Sequence, residues 1–161
     1  MPVSKIILIS IALLVLLFAA MLYLALSDTI RDLSKQPTFQ SIIANPHKLK
    51  KDAHLYRFDK GSYRFYPQVL TAMELPGFEK IATLPAGTVI TINAIKTYKG
   101  AVAGFTNLFV LGGFTDVHGK KTTFEYMWDA EPREAGNTET NTLPRAVWQD
   151  ESAAPVPYKF E

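Results

Sequence analysis

Residues 6–26, IILISIALLVLLFAAMLYLAL, carry no charge, and only Ser10 breaks an otherwise apolar run. A helix over this run is about 30 Å long, close to the hydrocarbon thickness of a bilayer. Apolar residues cover every face, which argues against a soluble core helix with one polar side. The pattern predicts one transmembrane helix, with 1–27 as an anchor in contact with lipid. The alternative is a cleaved signal peptide: Lys5 precedes the run, and Ala25-Leu26-Ser27 supplies small residues before Asp28. Signal-peptide cores span about 7–15 apolar residues, shorter than this run, which favours retention. Basic residues flank both ends, Lys5 on one side and Arg31 and Lys35 on the other. The signal-like layout then decides for a cytoplasmic N-terminus. The expected location is the inner membrane, single-pass, with a periplasmic C-terminal domain; cleavage near Ser27 would release it to the periplasm.

Residues 28–52 read as a connector. Ser27 is placed to cap a short helix through Leu33, and Phe39, Ile42 and Ile43 have the spacing of a second. His47–Lys51, HKLKK, is the one basic cluster. It reads as a solvated approach to a strand, although such a cluster can also meet anionic head groups.

From 53 to 129 the pattern changes to β-branched and aromatic residues punctuated by Gly. His54–Phe58 and Tyr63–Tyr66 flank Asp59-Lys60-Gly61-Ser62, a hairpin signal. That register pairs Phe58 with Tyr63 and Arg57 with Arg64. It places Tyr56, Phe58, Tyr63 and Phe65 on a core face, and Leu55, Arg57, Arg64 and Tyr66 on the other. Facing arginines repel, and an Arg–Tyr surface has the composition of a protein interface. Arg57, Arg64 and Tyr66 are therefore the candidate partner-binding residues; pairing of the arginines with Glu74 or Glu79 is the plainer alternative. Further strands are expected at Glu79–Leu84, Thr88–Tyr98, Gly104–Asp116 and Lys121–Trp128. Gly112-Gly113 marks a break, bulge or close backbone approach. Phe124, Tyr126 and Trp128 make one side of the last strand aromatic.

Residues 78–92, FEKIATLPAGTVITI, resemble the middle of a bacterial SH3-like domain: a strand ending in Leu, a Gly-containing turn, then Thr and a β-branched strand. The resemblance implies a small β-barrel used for binding, often in the cell envelope. No Asn-Val-Arg-type run precedes it and no Gly-Trp-Val closure follows, so no ligand residues of that family carry over. The expected fold is mainly β, a small SH3-like barrel after a single N-terminal transmembrane helix. The polar tail, 130–161, contains four prolines. It reads as a mobile loop over Ala135–Thr142, a returning edge strand at Ala146–Trp148 and an extended, frayed end.

Of 161 residues none is Cys, which excludes thiol catalysis and thiolate metal sites. A net charge of +2 without a basic arm gives no reason to expect nucleic-acid binding. His47, His54 and His118 lack the spacing of a zinc helix. Asp116-Val117-His118 beside Gly119 reads as a polar turn rather than a metal site. Glu125 and Asp129 read as solvated acids. No catalytic residue, cofactor or metal is assigned, and the chain is expected not to be an enzyme. The expected function is a membrane-anchored, periplasm-facing binding module for a protein of the cell envelope. Its specific form is an immunity protein against a periplasm-acting toxin. The alternatives are a structural subunit of an envelope assembly or a peptidoglycan-binding module; a small envelope hydrolase would need a concave site with paired polar groups.

Overall fold

The computed structural model describes residues 3–43, 45–101, 105–130 and 142–159, the side chains of 3–6 aside. Helix α1, Val3–Ala25, contains the long apolar run. None of its spanning residues, Ile7–Ala25, is buried against the protein, and the segment is long and apolar enough to cross a membrane. Ser27 does not cap a following helix. Its hydroxyl donates to the Tyr23 carbonyl, one turn back, at the end of α1. The next residues form strand β1, Thr29–Asp32, because β6 offers them a pairing edge. Helix α2, Pro37–Ile43, buries Phe39 and Ile42, as the spacing predicts.

The remaining strands are β2 (Pro46–Lys48), β3 (Ala53–Arg57), β4 (Gln68–Thr71), β5 (Glu79–Leu84), β6 (Val89–Lys99), β7 (Thr106–Thr115) and β8 (Lys121–Ala130). They form one mixed sheet in the order β1-β6-β7-β8-β4-β3-β5, with β2 on the same edge of β6 as β1. The fold is mainly β. Five strand spacings of about 4.8 Å would hold β5 about 24 Å from β6 in a flat sheet. Yet Leu84 and Val89 are five Cα steps apart, at most about 18 Å of chain. The sheet must curl to bring them together. It does not close: among the described residues β5 pairs with β3, and β6 with β1, β2 and β7. The strand–turn–strand of 78–92 is present, but its two strands are not neighbours.

The concave side holds the core. Ile90, Ile92, Ile95, Leu108, Val110, Phe124 and Trp128 supply its β6–β8 wall. In β6 the inward parity changes from Ile90 and Ile92 to Ile95 and Thr97. A bulge lies between Ile92 and Ala94, so the extra residue, Asn93, resets the alternation. Opposite the bulge β7 runs unbroken through Gly112-Gly113. A Cβ on Gly112 would lie 2.5 Å from the Thr91 carbonyl oxygen and 2.8 Å from the Phe124 ring. The close-approach expectation thus holds, and the break does not.

The core extends past 53–129 at both ends. Leu33, Phe39, Ile42 and Leu49 join it from the connector, and Leu143, Ala146, Val147 and Trp148 from the tail. The Trp128 indole N–H donates to the Pro144 carbonyl at 2.7 Å, and the Lys50 N–H to the Val147 carbonyl at 2.8 Å. Ala146–Trp148 is not a strand, because packing and these single bonds hold it without a ladder. The end is not frayed either: the Leu143 N–H bonds to Val156, and the Tyr158 ring rests 5.7 Å from Phe39. Of the Ala135–Thr142 loop, all but Thr142 lies outside the described residues.

Replacing Gly112 by Ala is expected to lower stability by about 2–3 kcal/mol, since both obstacles belong to packed structure. Urea unfolding of the full chain in detergent checks this; an unchanged midpoint would contradict the close approach.

Candidate functional site

The hairpin turn forms but closes elsewhere. Ser62 N–H donates to the Asp59 carbonyl at 2.9 Å, and Gly61 takes the left-handed φ of 98° that the turn needs. Tyr63–Tyr66 then does not return along β3. The base is closed by Phe58 N–H donating to Pro67, and β3 pairs with Gln68–Thr71. Residues 58–67 are therefore a long hairpin loop.

What holds the loop is Glu125. This side chain is on β8, only 3 % exposed, on the face opposite Phe124 and Tyr126. Its carboxylate accepts the N–H groups of Arg64 (3.1 Å), Phe65 (2.6 Å) and Tyr66 (3.0 Å). The sequence places it in solvent; the structure places it under a lid. Phe65 completes the cover, edge-on to Phe109 at 5.6 Å, with the Lys96 ammonium 5.7 Å from its ring. Thus β7 is buried on both faces, Phe109 and Leu111 outward as well as Leu108 and Val110 inward.

The loop also reaches the start of β1. The Arg64 guanidinium lies 4.8 Å from the centre of the Tyr98 ring, and the Tyr98 hydroxyl donates to Asp28. Asp28 also accepts the Ala101 N–H at 3.0 Å. The Tyr98 bond first, then the Ala101 bond, with a smaller contribution from the Arg64 charge, holds the Asp28 carboxyl below its ordinary value.

Arg57 and Arg64 do not face each other. Arg57 pairs with Gln68 on one side and Glu79 on the other, and its guanidinium meets the Glu79 carboxylate at 3.2 Å. Both partners are exposed, so the bond contributes little. The face assignment is also reversed: Leu55 is in the core, and buried Tyr56 is on the other side, its hydroxyl accepting the Leu75 N–H. The three candidates nevertheless lie in or beside one loop. Arg57 stands just before the base of the loop, Tyr66 before its closing Pro67, and Arg64 on the stretch that Glu125 grips. Beside them Phe58 stacks on Phe78 at 4.4 Å, and Phe78 is 47 % exposed.

Among the described residues no group of His, Asp and Glu is arranged to hold a metal ion. Asp116 accepts from the His118 and Lys120 N–H groups, as a polar turn does. One polar chain escaped the sequence: Glu74 lies 3.4 Å from His54 Nε2, and His54 Nδ1 lies 3.2 Å from the Thr83 hydroxyl. The Lys80 ammonium sits 2.5 Å from the same Glu74 oxygen. That hydrogen bond holds the Glu74 carboxyl below its ordinary value, and so weakens it as a base toward the imidazole. No family model, curated protein or solved structure matches this chain.

Two outcomes follow from this geometry. Glu125→Ala strands three covered N–H groups and is expected to cost about 3 kcal/mol or more, while Glu125→Gln keeps one acceptor oxygen and costs about 1–2 kcal/mol. Equal urea midpoints for wild type and Glu125→Ala would contradict the grip. For Asp28 the folded carboxyl titrates low, so its stabilisation is full above the ordinary value of 3.8 and is lost as pH falls through the folded value. A carboxyl-carbon NMR titration should place its midpoint below 3.8 and move it upward in Tyr98→Phe; no movement would contradict the Tyr98 bond.

Proposed function

We propose that this protein is a membrane-anchored, non-enzymatic binding module that recognises a protein partner through the 58–67 loop. Helix α1 is the anchor, and the domain faces the periplasm. The contact residues are Arg57, Arg64 and Tyr66, with Phe58 and Phe78 as apolar neighbours. The observation that carries this reading is the Glu125 grip on Arg64–Tyr66. A loop fixed by a covered carboxylate presents its side chains at a low entropic cost on binding. Arginine and aromatic residues are the side chains most often found at the centre of protein interfaces. The exposed Arg64 and Lys60 suit a partner surface that carries carboxylates beside apolar groups. The curled β sheet fits the binding role implied by the SH3-like resemblance of 78–92, which remains part of the proposal.

The test is photo-crosslinking in membranes, using the full chain with a photoreactive residue at position 66 or, as control, at position 120. The expected result is one protein captured from position 66 and not from position 120, and lost when Arg57 and Arg64 are both Ala. Capture from both positions alike, or from neither, would overturn the loop as the contact surface. Capture only through residues of α1 would point instead to a subunit held by its helix.

A further inference from the structure

Near the end of α1 three adjacent strands present a second face of different chemistry. Thr29 faces Lys99 and Arg31 faces Thr97 across β1 and β6, while Lys99 faces Thr106 across β6 and β7. Alternation puts these five side chains on one side of the sheet. The start of α2 and the Pro157–Lys159 segment wall the other side, enclosing a cavity of about 470 Å³. Its lining carries the cations of Arg31, Lys99 and Lys159, and no carboxylate among the described residues. Asp28, bonded to Tyr98, and Asp32, 4.0 Å from Lys96, belong to the opposite face, whereas Asp129 stands in the row Arg31–Thr97–Leu108–Asp129 on the same face but outside the lining.

Thr106 supplies an independent observation. It is 4 % exposed, lines this cavity, and its hydroxyl has no hydrogen-bond partner among the described residues. Buried hydroxyls are ordinarily paired, so an unpaired one at the wall of a cationic cavity marks a place for an acceptor.

We propose that this cavity binds a phosphoryl group bearing a small hydroxylated substituent. Phosphoryl oxygens accept from lysine and hydroxyl donors together, which is the set that Lys99, Lys159, Thr97 and Thr106 provide. The volume is within the range of small-molecule sites, about 300–1,000 Å³, and exceeds what a bare phosphate fills. Two sources share this chemistry, the head group of an anionic phospholipid and a soluble phosphorylated compound. Thr29 is four residues past Ala25, no more than about 14 Å of chain, so a head group beside α1 is within reach.

The test places the full chain in lipid nanodiscs and follows the amide resonances of Thr97, Lys99 and Thr106. Glycerol 1-phosphate is titrated into discs of phosphatidylcholine, and the same resonances are compared in discs that contain phosphatidylglycerol. The expected result is a saturable shift centred on these residues, with affinity weakened about tenfold in Lys99→Gln and several-fold in Thr106→Val. Thr106→Val removes only an unpaired hydroxyl, so it should fold at least as firmly as wild type, and urea unfolding verifies that. A response to glycerol 1-phosphate assigns a soluble ligand, and a response only to phosphatidylglycerol assigns a lipid head group. No localised response to either, or responses that both variants leave unchanged, would overturn the proposal.

Discussion

The Glu125 carboxylate joins strand β8 to a loop about 60 residues away in the chain. Its side chain takes three N–H groups from the loop between β3 and β4. Its backbone position, opposite Val69, is the parallel pairing that links β8 to β4. One side of the sheet, β1-β6-β7-β8, and the other, β4-β3-β5, therefore meet at this residue. A carboxylate in a covered site is tolerable only when its oxygens find donors, and consecutive peptide N–H groups are a compact source of them. The loop in turn has no ladder of its own, so each element satisfies the other.

This arrangement explains why β7 is buried on both faces although the sheet has a single concave core. The loop covers Phe109 and Glu125 on the convex side, where Leu111 is buried too. It also connects the domain to α1. From Glu125 the chain of contacts runs through Arg64 to Tyr98, and from Tyr98 to Asp28, three residues after the end of α1. The loop and the junction with the helix are thus linked by one chain of contacts, and the loop is held beside the α1 end of the sheet.

Much of this fold is legible along the chain, because it is set by local pattern. The apolar run of α1, the Phe39–Ile42 face of α2, strands β5 to β8 and the aromatic side of β8 all follow from periodicity. The Asp59–Ser62 turn is legible as well, since Gly61 and its neighbours fix it locally. What failed is long-range. The register after the turn depends on Glu125, some 60 residues away, and Pro67 ends the loop by offering a carbonyl and no N–H. β1 is a strand because β6 has a free edge there, which overrides the capping signal of Ser27. Ala146–Trp148 lies in the core although its surroundings are polar, because two aromatic contacts, with Trp128 and Tyr126, take it in. Glu125 itself gave one signal, its parity opposite Phe124 and Tyr126. Parity assigns that face to water unless something else covers it, and nothing near position 125 announces the loop.

The most direct measurement is amide hydrogen exchange of the wild-type chain at Arg64, Phe65 and Tyr66. If Glu125 holds the loop, these three amides exchange slowly, on the scale of the amides of β7, while Lys60 and Gly61 at the open turn exchange fast. Exchange at 64–66 as fast as at the turn would contradict the account, because the loop would then be free of the carboxylate that the rest of the structure is built around.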